Sequence, residues 1–404
     1  MTARGGGGTE LLRREEGVAG RATFLELFFD LGYVFALTRV ALRLFEDLTV
    51  QRHIVLISVG ETTLLFLAIW LVWSRGAWVT SRYDPRHPAI QLVLVGMMLG
   101  SMMMAVALPQ AFGGRAGIFV GAYVAIQVGR PLTEILALRG NEQWRIPARI
   151  ACWSTASAVP WIVGASLAQG PARGVLWTLA LALDYTGAAL GHPTPRLGRT
   201  SSGEWGAVSG EHLAERYQQF LNIALGESIL IMGLTFAAGD LGPDRTVAFL
   251  ASFTTTILLW RIYFYRAGQV LAEAIATSSR PAGFKLSAPY TQLVMVSGIL
   301  ATGVGSELVI AHPLEHLDPA WLAVILGGPA LFLAGRSRFE YEVFGRVSRS
   351  RVIGLLALAV LSPAMVPLPP LMVATVATVV LTGVALGDAM RARKRPPEAP
   401  SPPS

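Results

Sequence analysis

Apolar runs follow one another from Thr23 to Ala385, separated by short polar, Pro- or Gly-bearing connections. A run of about 20 such residues is what a helix needs to cross the ~30 Å hydrocarbon layer of a bilayer. The pattern resolves into twelve helices. The first six are expected near 24–42, 54–79, 89–110, 116–138, 147–168 and 174–190. The second six are expected near 212–238, 246–265, 289–310, 320–335, 351–368 and 370–388. The ends, 1–20 and 390–404, are polar and rich in Gly or Pro, a composition that buries too little apolar surface to fold. Pro363, Pro367, Pro369 and Pro370 interrupt the last pair, leaving 351–388 open between two spans and a re-entrant hairpin.

The two halves resemble each other. Trp70 follows Glu26 at nearly the interval by which Trp260 follows Glu215, in W-L-V-W and W-R-I-Y. PAIQLVLVGMML from Pro88 then matches PYTQLVMVSGIL from Pro289, and Gly129-Arg130 matches Gly335-Arg336. Four matches in the same order point to an internal duplication, 21–195 and 205–389. An even number of helices per copy gives both the same orientation, with a pseudo-axis along the membrane normal. The expected fold class is therefore all-α: a polytopic membrane protein of about 12 transmembrane helices in two like-oriented six-helix repeats.

Composition agrees. Hydrophobic residues make up 53% of the 404, charged ones only 15%, and mean hydropathy is +0.51. A water-soluble chain of this length needs more charge on its surface. The single cysteine, Cys152, excludes a disulfide framework. The formal charge of +7 raises the question of nucleic acid, but its distribution answers otherwise. Most Lys and Arg fall on the side that receives the termini and the even-numbered connections, among them Arg75, Arg82, Arg86 and Arg336 to Arg351. Only Arg43, Arg52, Arg115, Arg173 and Arg245 face the other way. That asymmetry is the positive-inside signal; it places both termini in the cytoplasm, with lipids and no nucleic acid as partners.

Against this background the buried acids stand out. Glu26 and Asp30, in E-L-F-F-D-L, are four apart and share one helix face. His212, Glu215, Arg216 and Gln219 share roughly one side of the seventh helix, and Glu227 lies about three turns deeper. The duplication brings Glu26 and Asp30 toward Glu215 and Gln219. Ionisable groups inside a span either line a pathway or pair with each other to fix packing. For Glu26, Asp30 and Glu215 the packing alternative is an ion-pair network with Arg216 or Arg39; for Glu227 it is a hydrogen bond to Asn222 or a hydroxyl. Glu26, Asp30, His212, Glu215, Arg216, Asn222 and Glu227 are the candidate substrate- or ion-binding residues. Glu61, Glu134, Asp184 and Glu307 are isolated polar groups in other spans. Trp70, Trp73 and Trp78 read as an interfacial belt and packing, and Met97 to Met104 as plastic core. No phosphate loop, dinucleotide fingerprint, zinc spacing or nucleophile elbow is present, so no cofactor or metal is expected.

ELFFDLGYVFAL, the W-x-x-W followed by S-R-Y-D, H-L-A-E-R with A-L-G-E-S, and W-R-I-Y-F together resemble the bacterial low temperature requirement protein A family. The resemblance runs from about Thr23 to Ala385. It implies a multi-pass bacterial inner-membrane protein connected by name with growth in the cold, and supplies no reaction or substrate. Gly32-Tyr33 and Tyr217-Gln218-Gln219 depart from the family pattern, which implies a different ligand. The leading functional expectation is a secondary transporter or permeation protein for a small solute or ion. A membrane-embedded enzyme on a lipid or isoprenoid and a sensor or assembly protein are the alternatives. Enzymatic activity is the weaker expectation, lacking an Asp-rich diphosphate motif or a nucleophile–base pair; homo-oligomerisation stays open.

Overall fold

The structure is a computed structural model and describes residues 22–50, 55–200, 208–264 and 281–394. Among them are twelve α-helices, two single-turn 3-10 segments and no strand. They are α1 (Phe24–Thr49), α2 (Val55–Arg82), α3 (Pro88–Ala107), α4 (Ala116–Ala137), α5 (Arg145–Ser166) and α6 (Gly170–Ala189). The remainder are α7 (Gly210–Ala237), α8 (Pro243–Phe264), α9 (Pro281–Ala311), α10 (Pro319–Phe344), α11 (Arg349–Met365) and α12 (Pro370–Lys394). Of the expected terminal segments, 1–20 and the 395–404 part of 390–404 lie outside the described residues.

Helices form where the pattern places them, but several run longer. α1 continues past residue 42 to Thr49 through Arg43, Glu46 and Asp47, and α10 runs past 335 to Phe344. α9 starts at Pro281 instead of 289, and α12 carries through Lys394, taking in the start of the expected tail. Hydropathy marks only the apolar stretch, whereas a hydrogen-bonded ladder continues wherever polar side chains find partners. Stops are chemical. Asp318 caps α10 by accepting the Ala320 N–H at 2.9 Å, with Pro319 at the first helical position. Gly345 ends the same helix at φ +64, a conformation that costs glycine nothing. The proline-rich region holds two helices, α11 and α12, joined by 366–369.

Seven helices, α2, α3, α7, α8, α10, α12 and the Ser287–Ala311 part of α9, are long and apolar enough to cross a membrane. Among the rest, α1 carries Glu26, Asp30, Arg39, Arg43, Glu46 and Asp47, and α11 has only 17 residues. The exterior is apolar. On α3, Leu92, Val95, Leu99, Met103 and Val106 form an exposed stripe at helical spacing, while Met97, Ser101 and Met104 point inward. Lipid tails cover such a stripe; water would not.

The described residues divide into two compact units: the chain up to Arg43 with Leu56–Arg216, and Leu44–Val55 with the chain from Tyr217 onward. In the first unit α3 packs on α4, α4 on α5 and α5 on α6. Phe119, Tyr123, Trp161 and Trp177 fill the space between α4, α5 and α6, with the two indoles 5.2 Å apart. In the second unit α9 and α10 form the closest pair. A Cβ on Gly298 would sit 2.4 Å from the Phe332 backbone nitrogen, and one on Gly328 2.5 Å from that of Thr302. Small residues let these backbones approach and gain dispersion contact where lipid offers no hydrophobic drive.

Gly298→Ala is therefore expected to destabilise the protein by about 1–3 kcal/mol, because backbone atoms cannot yield as a side chain would. Gly327→Ala, where a Cβ meets open space, is the control and leaves the midpoint unchanged. Thermal unfolding in detergent measures both.

Candidate functional site

Thr23-Phe24-Leu25-Glu26 opens α1 as a capping box. The Glu26 carboxylate accepts the Thr23 N–H at 2.7 Å and the Thr23 hydroxyl at 2.9 Å. Thr23 in turn faces the Glu26 N–H at 3.4 Å. A Thr-x-x-Glu at a helix start satisfies end groups that would otherwise lack partners. This T-x-x-E signal stands in the sequence, and it fixes the Glu26 rotamer. The other carboxylate oxygen then lies 3.0 Å from His212 Nε2 on α7. The far ring nitrogen of His212 meets the Ser81 hydroxyl of α2 at 2.9 Å, and that hydroxyl donates to the Ala77 carbonyl.

One turn along, Asp30 takes a second base. Its Oδ1 accepts from Arg216 at 2.7 Å and from the Trp73 indole N–H at 2.8 Å. Arg216 also lies over the Phe29 ring. Glu26, Asp30, His212 and Arg216 have no exposed surface at all. Two acids of α1 thus meet two basic side chains of α7, with Trp73 and Ser81 of α2 closing the cluster. Sequence symmetry pointed the α1 carboxylates at Glu215 and Gln219; they take the basic residues of the same helix, Asp30 the Arg216 of the ion-pair alternative. Opposite charge decides this, since an acid beside an acid in low dielectric is costly. Glu215 is half-buried and accepts the Ala22 N–H at 3.2 Å. Trp73, which the sequence assigned to belt and packing, also belongs to the site; an indole N–H about five turns into α2 needs an acceptor.

The Asp30–Arg216 contact is single. Asp30 Oδ2 and Arg216 Nε and Nη1 are buried with no hydrogen-bond partner among the described residues. A guanidinium normally engages a carboxylate through two parallel bonds. The cluster therefore holds unused donors and an unused acceptor.

Asn222 and Glu227 belong to the second unit. Asn222 is exposed on α7. Glu227 is 1% exposed, and both its carboxylate oxygens lack a hydrogen-bond partner among the described residues. The group acting on it electrostatically is Glu307 of α9, another acid, 7% exposed, with Oε2 likewise unpartnered. Beside them Ser228 donates to the Ala224 carbonyl at 3.2 Å, and Gly303 leaves room for that serine. The sequence had Glu307 only as one of several isolated polar groups; its juxtaposition with Glu227 is a product of α7–α9 packing. Among the described residues no three His, Cys, Asp or Glu side chains come together as a metal site.

Asp30→Asn leaves Arg216 buried beside a weaker acceptor and is expected to cost about 3–5 kcal/mol in stability. Asp30→Leu combined with Arg216→Met removes both charges and is expected to recover most of that loss. A double-mutant cycle on the unfolding midpoint reads the difference; an unchanged Asp30→Asn midpoint refutes the pairing.

Residues 21–386 match the profile of the family described as bacterial low temperature requirement A protein (LtrA). An uncharacterized protein of Rhizobium meliloti (strain 1021) is similar to the chain, 37% identical over 384 residues, covering 94% of this chain and 90% of that one. No solved structure matches. With the profile spanning nearly the whole helical region, this multi-pass helical membrane protein belongs to the bacterial low temperature requirement A family.

Proposed function

We propose that the protein is a secondary transporter or permeation protein for a small solute or ion in the bacterial inner membrane, with both termini cytoplasmic. One observation carries this reading: Glu227, buried in an apolar span, has neither a hydrogen bond nor a basic partner among the described residues, and Glu307 acts on it electrostatically. A carboxyl group placed so is expensive, and a protein that needed it only for packing would supply a donor. A proton or a monovalent cation is the species that relieves two facing acids. The Asp30–Arg216 cluster, with its unused donors and acceptor, is the second polar interior.

Support for two like-oriented repeats comes from the Gly-Arg segments. Glu134 follows Arg130 by four residues on α4, and Glu340 follows Arg336 by four on α10. Arg130 bonds Glu134 at 2.8 Å, and Arg336 lies within electrostatic reach of Glu340. Both arginines are buried. The asymmetry of Lys and Arg along the sequence supports the cytoplasmic termini.

A second reading, a sensor or assembly protein whose buried charges serve specificity alone, draws on the paired part of the α1–α7 cluster. The two diverge in proteoliposomes carrying a pH-sensitive dye and an imposed Na⁺ or K⁺ gradient. Transport predicts a flux that Glu227→Gln lowers by about tenfold or more at unchanged unfolding midpoint, with Glu307→Gln acting in the same direction. A flux indifferent to both substitutions removes the assigned mechanism. Acids that shift only stability favour the second reading.

A further inference from the structure

The arginines that the sequence counts as an orientation signal are not all solvated. Arg75 and Arg82 of α2 and Arg149 of α5 are buried in the first unit, as is Arg130 within α4, all between 4% and 8% exposed. All four stand at the same end of their helices' bundle, α2 and α4 ending there and α5 beginning there. Among the described residues the carboxylates facing them are Glu134 and Asp184. Arg130 bonds Glu134 Oε1 at 2.8 Å, and Arg82 and Arg75 also act on that carboxylate. Asp184 is already taken up by the Tyr123 hydroxyl at 2.7 Å and the Ser157 hydroxyl at 3.0 Å. Arg75 therefore reaches Asp184 only at 3.6 Å, beyond hydrogen-bond distance, and holds Ser154 at 3.3 Å.

Over this end lies the connection from α6, residues 190–200. It is pinned from several sides: His192 N–H donates to the Gly187 carbonyl at 2.7 Å, Trp153 to the Pro193 carbonyl at 2.9 Å, and Arg149 to the Leu197 carbonyl at 2.9 Å. Thr194 and Gly198 close its tip. His192 and Arg196 both sit at positive φ, 52 and 65, where a side chain other than glycine is strained. Such strain persists where the surroundings over-determine it, and it marks functional segments more often than others. The strained backbone places the His192 ring inside, within reach of Arg75, Arg130 and Arg149. Burial, followed by those three cations, pushes the imidazole down to about 3, so it is neutral. Its Nε2, the Nε of Arg130 and Nη2 of Arg75 are buried and have no hydrogen-bond partner among the described residues.

Unpartnered nitrogens from three segments thus lie at one helix-bundle end, within electrostatic range of one another, where positive charge already gathers. We propose that this end of the first unit binds an oxyanion of the phosphate class, held by Arg75 and Arg130, with His192 of the 190–200 connection as the closing contact. Guanidinium groups suit phosphate and carboxylate oxygens through fixed N–H forks, and burial strengthens each such bond. A phosphate oxyanion reaches this site either free in solution or as a lipid headgroup at the membrane surface; the chemistry of recognition is the same. The site shares no residue with the transport reading and stands independently of it.

The test uses the purified full-length protein. In neutral detergent, inorganic phosphate is titrated against chloride at matched ionic strength while the unfolding midpoint is followed. In a second arm, the protein in the same detergent is compared with and without added phosphatidylglycerol, whose phosphodiester is the headgroup source. Stabilisation by phosphate over chloride identifies a free anion; stabilisation confined to added phosphatidylglycerol identifies the headgroup. In either case Arg130→Lys, which keeps the charge and loses Nε, is expected to weaken the effect about tenfold. If Arg130→Gln strands Glu134 and fails to fold, Arg130→Gln with Glu134→Gln keeps the helix pair neutral and must still abolish it. No preference for phosphate over chloride together with no effect of added phosphatidylglycerol overturns the proposal, as does full binding by Arg130→Lys.

Discussion

A charge carried into an apolar helix bundle must find an opposite charge or a full set of hydrogen bonds, and this requirement governs the interior. The Asp30–Arg216 contact at 2.7 Å is its clearest expression. Breaking such a pair from one side strands a charge without water, which costs more than the pair itself contributes. α1 is consequently tied to the first two turns of α7 and to α2 through Trp73. The same logic explains Arg43, which bonds Glu61 at 2.8 Å, Thr62 and the Leu108 carbonyl, and Arg351, shared between Glu340 and Asp388.

Where that requirement is left unmet, the structure becomes informative about function. Among the described residues Glu227 has no base beside it, and Glu307 acts on it electrostatically. The Arg75–Arg130–His192 group has the reverse imbalance, with buried nitrogens left over among the described residues after Arg130 meets Glu134 and Arg75 meets Ser154. One excess is negative and buried in a span of the second unit; the other is positive and lies at a helix-bundle end of the first. Both ask for a species the polypeptide does not supply, a cation or proton in one case and an oxyanion in the other.

Packing sets where these groups fall. Small residues at Gly298 and Gly328 bring α9 and α10 into backbone contact. The outward stripe of α3 and the exposed leucines and valines of α11 leave nothing polar for lipid to meet. The molecule thus buries much of its charge and exposes many apolar residues around a hydrophobic core. Such an exterior suits a solvent that makes no hydrogen bonds.

Helix number and order were legible in the sequence, because lipid solvation writes itself locally: each span needs its own apolar run, and each run is bounded by prolines, glycines or charge. The Thr23–Glu26 capping box was equally local. The site was legible in part. That Glu26, Asp30, His212, Arg216 and Glu227 could not face lipid follows from their place in apolar runs. Which partner each takes does not, since spacing along one helix fixes a face and not what lies opposite. Only the tertiary structure set Asp30 against Arg216 and Trp73, Glu227 against Glu307, and buried Arg75 and Arg82, which the sequence had read as an orientation signal alone. Electrostatic partners are chosen over distances of a few ångströms between residues up to 186 apart in the chain, and no local pattern records that choice.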